Sequence, residues 1–188
     1  MVEILENPAV RSLASRMSVE QYHRFSEAGI VPERTELLRG IVVDKMSKSP
    51  LHVLIVRLLT EWLTQRESND RHVRKEEPLT FTDSEPEPDV AVVKGRAEDY
   101  RFAHPTTAEF IIEVAISSLE LDREKGNIYA EAGVPEFWIV LPQEQAIEVY
   151  TSPSVEGYQQ MRRHEDADAP LISSIFPELS LTPRELFA

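Results

Sequence analysis

Apolar positions along the chain switch between helical and strand spacing. Ser18-Val-Glu-Gln21 has the form of a capping box and precedes Tyr22 and Phe25, which predicts a helix opening at Ser18 and stopping near Gly29. Residues 36–43 read as two short strand runs about Gly40, a hairpin. Ser49-Pro50 sets a capping serine before a proline at the first helical position, and Leu51, Leu54, Ile55, Leu58, Leu59 and Trp62 follow as the apolar stripe of a helix. Strand-like runs follow at 72–75, 79–81 and 89–93, the last preceded by the turn-rich Asp83-Ser-Glu-Pro-Glu-Pro88. The apolar runs 110–116 and 136–141 flank a helical segment from about Leu119 to Ala132, ending at Gly133. Strand, crossover helix and strand of that length predict a parallel βαβ unit. Tyr158 and Met161 suggest a late strand, and residues 170–188 show no assignable pattern. The fold class is α/β.

At 188 residues and 21.5 kDa, with 41% hydrophobic residues and no repeat or Gly/Ser linker, the chain is expected to form an N-terminal arm over 1–17 and one domain over 18–188. The absence of cysteine excludes a disulfide scaffold and a thiolate zinc site and fits a reducing compartment, so a cytoplasmic location is expected. No apolar run reaches the roughly 18 residues a membrane helix needs, and Glu3 and Glu6 replace the basic flank of a leader, so no membrane partner is expected. The net charge of −13 would repel phosphate if it were uniform. It is not: residues 1–75 hold 12 Lys and Arg against 10 Asp and Glu, whereas 76–188 hold 8 against 23. The surplus lies where Asp83, Glu85, Glu87 and Asp89 lead into a strand, so part of it reads as cation-binding equipment.

A single carboxylate, Glu113, interrupts the apolar run Phe110-Ile-Ile-Glu-Val-Ala-Ile116, which has the composition of a strand buried on both faces. Burying an unpaired carboxylate costs several kcal/mol, so Glu113 calls for a cationic partner, a metal, or a place at the sheet's open end; a structural salt bridge or an edge strand facing water is the alternative. Asp89, 24 residues earlier, opens another strand run, although aspartate after proline is also a common turn residue. Two carboxylates converging on one sheet edge suit Mg²⁺, with waters and phosphate oxygens completing the octahedron. Asp122, Lys125 and Tyr129 share one face of the following helix, either as a solvated ion-pair face or with an amine reaching the carboxylates. Glu36 opens the hairpin and His52 starts the amphipathic helix, where a surface or capping role is the alternative. The five histidines contain no i, i+4 pair, which disfavours a histidine zinc site. Phosphate-loop, dinucleotide and nucleophile-elbow motifs are absent from the sequence.

Assembled, these residues resemble the Uma-two family of restriction-endonuclease-like proteins, a former domain of unknown function within the PD-(D/E)XK nuclease superfamily. The resemblance runs over residues 18–150, through Thr35-Glu-Leu-Leu-Arg-Gly40, His52, Pro88-Asp-Val-Ala-Val92, Ile112-Glu-Val-Ala-Ile-Ser117, Asp122-Arg-Glu-Lys125, Tyr129-Ala130 and Gly133-Val-Pro-Glu-Phe-Trp-Ile-Val140. It implies a restriction-endonuclease-like core, a mixed central sheet flanked by helices, with Asp89 and Glu113 as metal-binding acids. It also implies Lys125 as the catalytic amine, Glu36 as an accessory acid, and His52, Asp122 and Tyr129 as further accessories. The superfamily places its lysine two residues after the glutamate, where this chain has Ala115; the family takes the amine from the next helix. Leu141 and Ser117-Ser-Leu-Glu120 also depart from the family pattern, which leaves substrate preference and loop geometry open.

The implied activity is Mg²⁺-dependent hydrolysis of DNA phosphodiesters, with Mn²⁺ as a substitute. A catalytically silent binding or regulatory module and a metal-dependent hydrolase of a small phosphorylated molecule are the rival readings. A homodimer is expected, since Phe137 and Trp138 read as exposed and two-strand cleavage favours two sites. Nucleic-acid contact is expected to rest on the near-neutral first part, including Arg71, Arg74 and Lys75, and on low salt.

Overall fold

The structure, a computed structural model, describes residues 7–11, 13–65, 68, 70–177 and 180–187. The arm expected over 1–17 therefore lies partly outside the described residues. The chain divides into two compact units, Met1–Lys45 with Thr82–Ser84, and Met46–Phe81 with Glu85–Ala188.

The first unit holds helices α1 (Pro8–Arg11) and α2 (Val19–Glu27) and strands β1 (Thr35–Leu38) and β2 (Ile41–Asp44). The capping box forms: Ser18 Oγ accepts from the Gln21 N–H at 3.2 Å, and Gln21 Oε1 accepts from the Ser18 N–H at 2.9 Å. Strands β1 and β2 pair antiparallel about Arg39-Gly40, whose φ values of 50° and 73° are those of a tight two-residue hairpin turn. A Cβ on Gly40 would stand 2.6 Å from Cβ of Arg16, so that position requires glycine. Tyr22, Val31 and Leu37 form this unit's small core, and the Tyr22 hydroxyl donates to the Thr35 carbonyl.

The second unit is built on a six-stranded sheet in the order β3 (Arg71–Lys75), β4 (Val90–Lys94), β5 (Phe110–Val114), β6 (Glu136–Leu141), β7 (Ala146–Ser154), β8 (Gly157–His164). Strands β5 and β6 run parallel, joined by helix α4 (Leu119–Glu131), and the other neighbours are antiparallel. The expected βαβ unit is thus present. Side-chain alternation sends Val90, Val92, Phe110, Ile112, Val114, Trp138 and Val140 into one core with helix α3 (Pro50–Thr64). Ala91, Val93, Ile111, Ala115, Phe137 and Ile139 enter a second core with Tyr129 of α4. No described helix is long and apolar enough to cross a membrane.

Three expectations are corrected, and the tail gains an assignment. Helix α3 begins at Ser49-Pro50 as predicted, but buries His52, Ile55, Val56, Leu59 and Leu63, leaving Leu51 and Leu54 exposed. Residues 79–81 are not a strand: Leu79 is fully buried in an irregular segment, its N–H bonded to the Pro86 carbonyl and that of Thr80 to Pro105. Phe137 and Trp138 are fully buried, because adjacent residues of β6 enter opposite cores and both faces are covered. The tail, unassigned from sequence, forms the short pair β9 (Leu171–Ile172) and β10 (Ser180–Leu181), then α5 (Pro183–Phe187). Buried Glu136 fastens it, accepting from the Ser174 N–H at 2.7 Å and from the Ser174 hydroxyl.

Candidate functional site

Antiparallel pairing of β4 with β5 sets Val90 opposite Ile112, and one step further the same register sets Asp89 opposite Glu113. The Asp89 N–H donates to Glu113 Oε2 at 3.2 Å, and the Val114 N–H donates to Asp89 Oδ2 at 2.8 Å. Both acids are buried. Glu113 shares the sheet face of Ile111 and Ala115, the face that α4 covers, and two α4 side chains reach it. Lys125 Nζ stands 3.2 Å from Glu113 Oε1, and the Tyr129 hydroxyl donates to the same oxygen at 2.6 Å. With Lys125 and Glu113 side chains 7% and 4% exposed, this is a desolvated charge pair rather than a surface ion pair. Asp122 is also buried, and accepts from Ser118 Oγ at 2.5 Å at the start of α4.

From the other core, α3 contributes His52, whose Nε2 lies 3.1 Å from Asp89 Oδ2. The ring is buried rather than displayed as a surface or capping group. Asp89, Glu113, Lys125, Tyr129 and His52 are thus linked within the second unit. Glu36 lies on β1 of the first unit, paired with Val43. Of the acidic run before Asp89, Glu85 is buried and accepts from Thr80 Oγ1 at 2.6 Å, which fastens the turn. Of the basic residues expected to meet phosphate, Lys75 is exposed, Arg71 pairs with Glu109 at 2.8 Å, and Arg74 is buried with Glu77 at 2.8 Å and Tyr100. Two contributors carried no usable sequence signal: the Val114 N–H, because any residue supplies one, and Ser118, whose i, i+4 spacing to Asp122 is too common to single out.

The acids fit a hard divalent ion of the open kind. Asp89 commits Oδ2 to Val114 and His52, and its Oδ1 accepts no hydrogen bond among the described residues. Glu113 brings a second carboxylate to the same end of the sheet. Among the described residues no group of three or more His, Cys, Asp and Glu side chains is placed to enclose an ion. One or two carboxylates, completed by water and phosphate, are what a hard divalent ion takes in an open site.

The mixed sheet, its crossover helix and the acids at the β4–β5 end define a restriction-endonuclease-like α/β protein. The chain belongs to the Uma2 family, described as "Putative restriction endonuclease", whose sequence model matches residues 19–184. The fold is similar to that of a protein from Anabaena variabilis ATCC 29413, solved by crystallography and titled "a putative nuclease belonging to DUF820". The TM-score is 0.73 at 19% sequence identity, covering 91% of this chain and 97% of that one. Comparison with curated proteins gives no match.

Proposed function

We propose that this chain is a divalent-metal-dependent endonuclease that hydrolyses DNA phosphodiester bonds, with Mg²⁺ as its ion and Mn²⁺ as a substitute. The observation that carries the reading is the register that sets Asp89 opposite Glu113, with the amine of Lys125 at 3.2 Å. Asp89 and Glu113 hold the ion. When bound, it supplies Lewis-acid polarisation of the scissile phosphate and a water of lowered pKa. Lys125, which donates to Glu113, orients the attacking water and stabilises charge developing on the phosphoryl oxygens. Tyr129 keeps Glu113 Oε1 turned toward α4, and Asp122, tied to Ser118, steadies the first turn of the helix that carries both. Two copies acting together would cut both strands.

The test is Glu113→Gln. Mg²⁺- or Mn²⁺-dependent cleavage of plasmid DNA should fall by about 10²-fold or more while the thermal midpoint shows a folded protein. An undiminished rate in the folded variant would overturn the reading.

A further inference from the structure

His52 stands outside the set of acids and amine that the proposed reaction uses. The cap at Ser49, whose Oγ accepts from the His52 N–H at 3.2 Å, puts it in the first turn of α3. There it heads the stripe Ile55, Val56, Leu59 and Leu63, a place where a polar ring is costly unless it makes a bond. Its Nε2 makes one, to Asp89 Oδ2, the oxygen that also accepts from the Val114 N–H. Its Nδ1 is buried with no hydrogen-bond partner among the described residues. A proton on Nε2 accounts for both facts: the 3.1 Å contact is then a donated hydrogen bond, and a bare Nδ1 asks for no acceptor.

We infer that His52 is a positioning residue: with the Val114 N–H it locks Oδ2 of Asp89 and leaves Oδ1 to the divalent ion, an inference that rests on the nuclease reading above. Groups that hold a metal ligand from behind commonly change metal affinity by about 10- to 100-fold when removed. They fix the ligand's orientation and take no part in the bond changes.

The experiment compares wild type with His52→Ala, His52→Gln and His52→Asn, using Mn²⁺ alone as the probe. Calorimetric titration without DNA reads affinity, and plasmid cleavage across Mn²⁺ concentrations reads the half-saturating concentration and the limiting rate. His52→Ala should bind Mn²⁺ about 10-fold or more weakly and shift the half-saturating concentration equally, with most of the limiting rate recovered at high Mn²⁺. Glutamine carries an amide nitrogen the same number of bonds from Cβ as Nε2 and should restore affinity; asparagine, which falls short of Asp89, should not. A merely structural role predicts a lower thermal midpoint without this split or this rescue. Wild-type Mn²⁺ affinity in His52→Ala, or a folded His52→Gln as weak as His52→Ala, would overturn the positioning role alone. A wild type that neither binds Mn²⁺ nor cuts DNA would overturn the nuclease reading and this inference with it.

Discussion

Replacing Gly126 by alanine sets two effects of opposite sign against each other. Within a helix, alanine is favoured over glycine by about 1 kcal/mol. Gly126, however, lies beside Lys125 where α4 approaches β6, and a Cβ there would stand 2.8 Å from Cε1 and 3.2 Å from Cδ1 of Phe137. The ring has no free direction in which to turn. It is fully buried, edge-on to Tyr129 at 5.2 Å between centroids and stacked on Tyr150 at 5.5 Å and Tyr158 at 6.0 Å. Overpacking a filled core costs about 1 to 3 kcal/mol, so the net effect should be a loss of about 0 to 2 kcal/mol. An α4 pushed outward would also draw Lys125 and Tyr129 away from Glu113, and cleavage should fall with stability. Urea unfolding of wild type, Gly126→Ala, Phe137→Leu and the double variant separates the terms. Once the ring is gone, the alanine should stabilise by about 0.5 to 1 kcal/mol. If Gly126→Ala is more stable than wild type with Phe137 in place, α4 does not approach β6 as closely as the structure has it.

Tyr129→Phe removes the hydroxyl that donates to Glu113 at 2.6 Å and should cost about 1.5 to 3 kcal/mol in urea unfolding, as expected of a bond to a charged acceptor; an unchanged midpoint would count against that bond. Ser49→Ala should cost about 1 kcal/mol through loss of the α3 cap, read from the same curves. Burial pushes the Glu148 carboxyl up, but hydrogen bonds from Arg123 and Tyr150 and the charges of Arg123 and Arg163 outweigh it, holding the group below its ordinary 4.5. A carboxyl held low in the folded state stabilises above its ordinary value and loses that contribution as pH falls through its folded pKa. The stability difference between wild type and Glu148→Gln should therefore shrink below about pH 4.5, and a difference flat across the acid range would contradict the network. Affinity for DNA, measured by anisotropy with Ca²⁺ present, should be weak and should fall with added salt on a shallow slope, because a chain of net charge −13 can make few cationic contacts and the slope scales with their number; indifference to salt would place binding elsewhere.

What the sequence revealed was local, and what it hid was long-range. The capping box at Ser18, the Arg39-Gly40 turn and the Ser49-Pro50 start each complete themselves within a few residues, so a short window contains the whole signal. Strand β7 was hidden because Glu148, Thr151 and Pro153 break its alternation, and Glu148 is tolerated because Arg123 on α4, Arg163 on β8 and the Tyr150 hydroxyl reach it. The face of α3 was misassigned because apolar residues ring its first turns, and burial there follows the contact of His52 with Asp89. The site shows the same division. Glu113 stood out as a lone carboxylate in an apolar run, yet only the strand register sets Asp89 opposite it. The small residue at Ala115 has a steric reason of the same kind. Positions 113 and 115 project to one side of β5, and on that side Ala115 is buried in the cluster that contains Tyr129. A long side chain at 115 would compete for that volume with the helix whose Lys125 and Tyr129 meet Glu113, so a small residue on the strand and an amine on α4 form one packing solution.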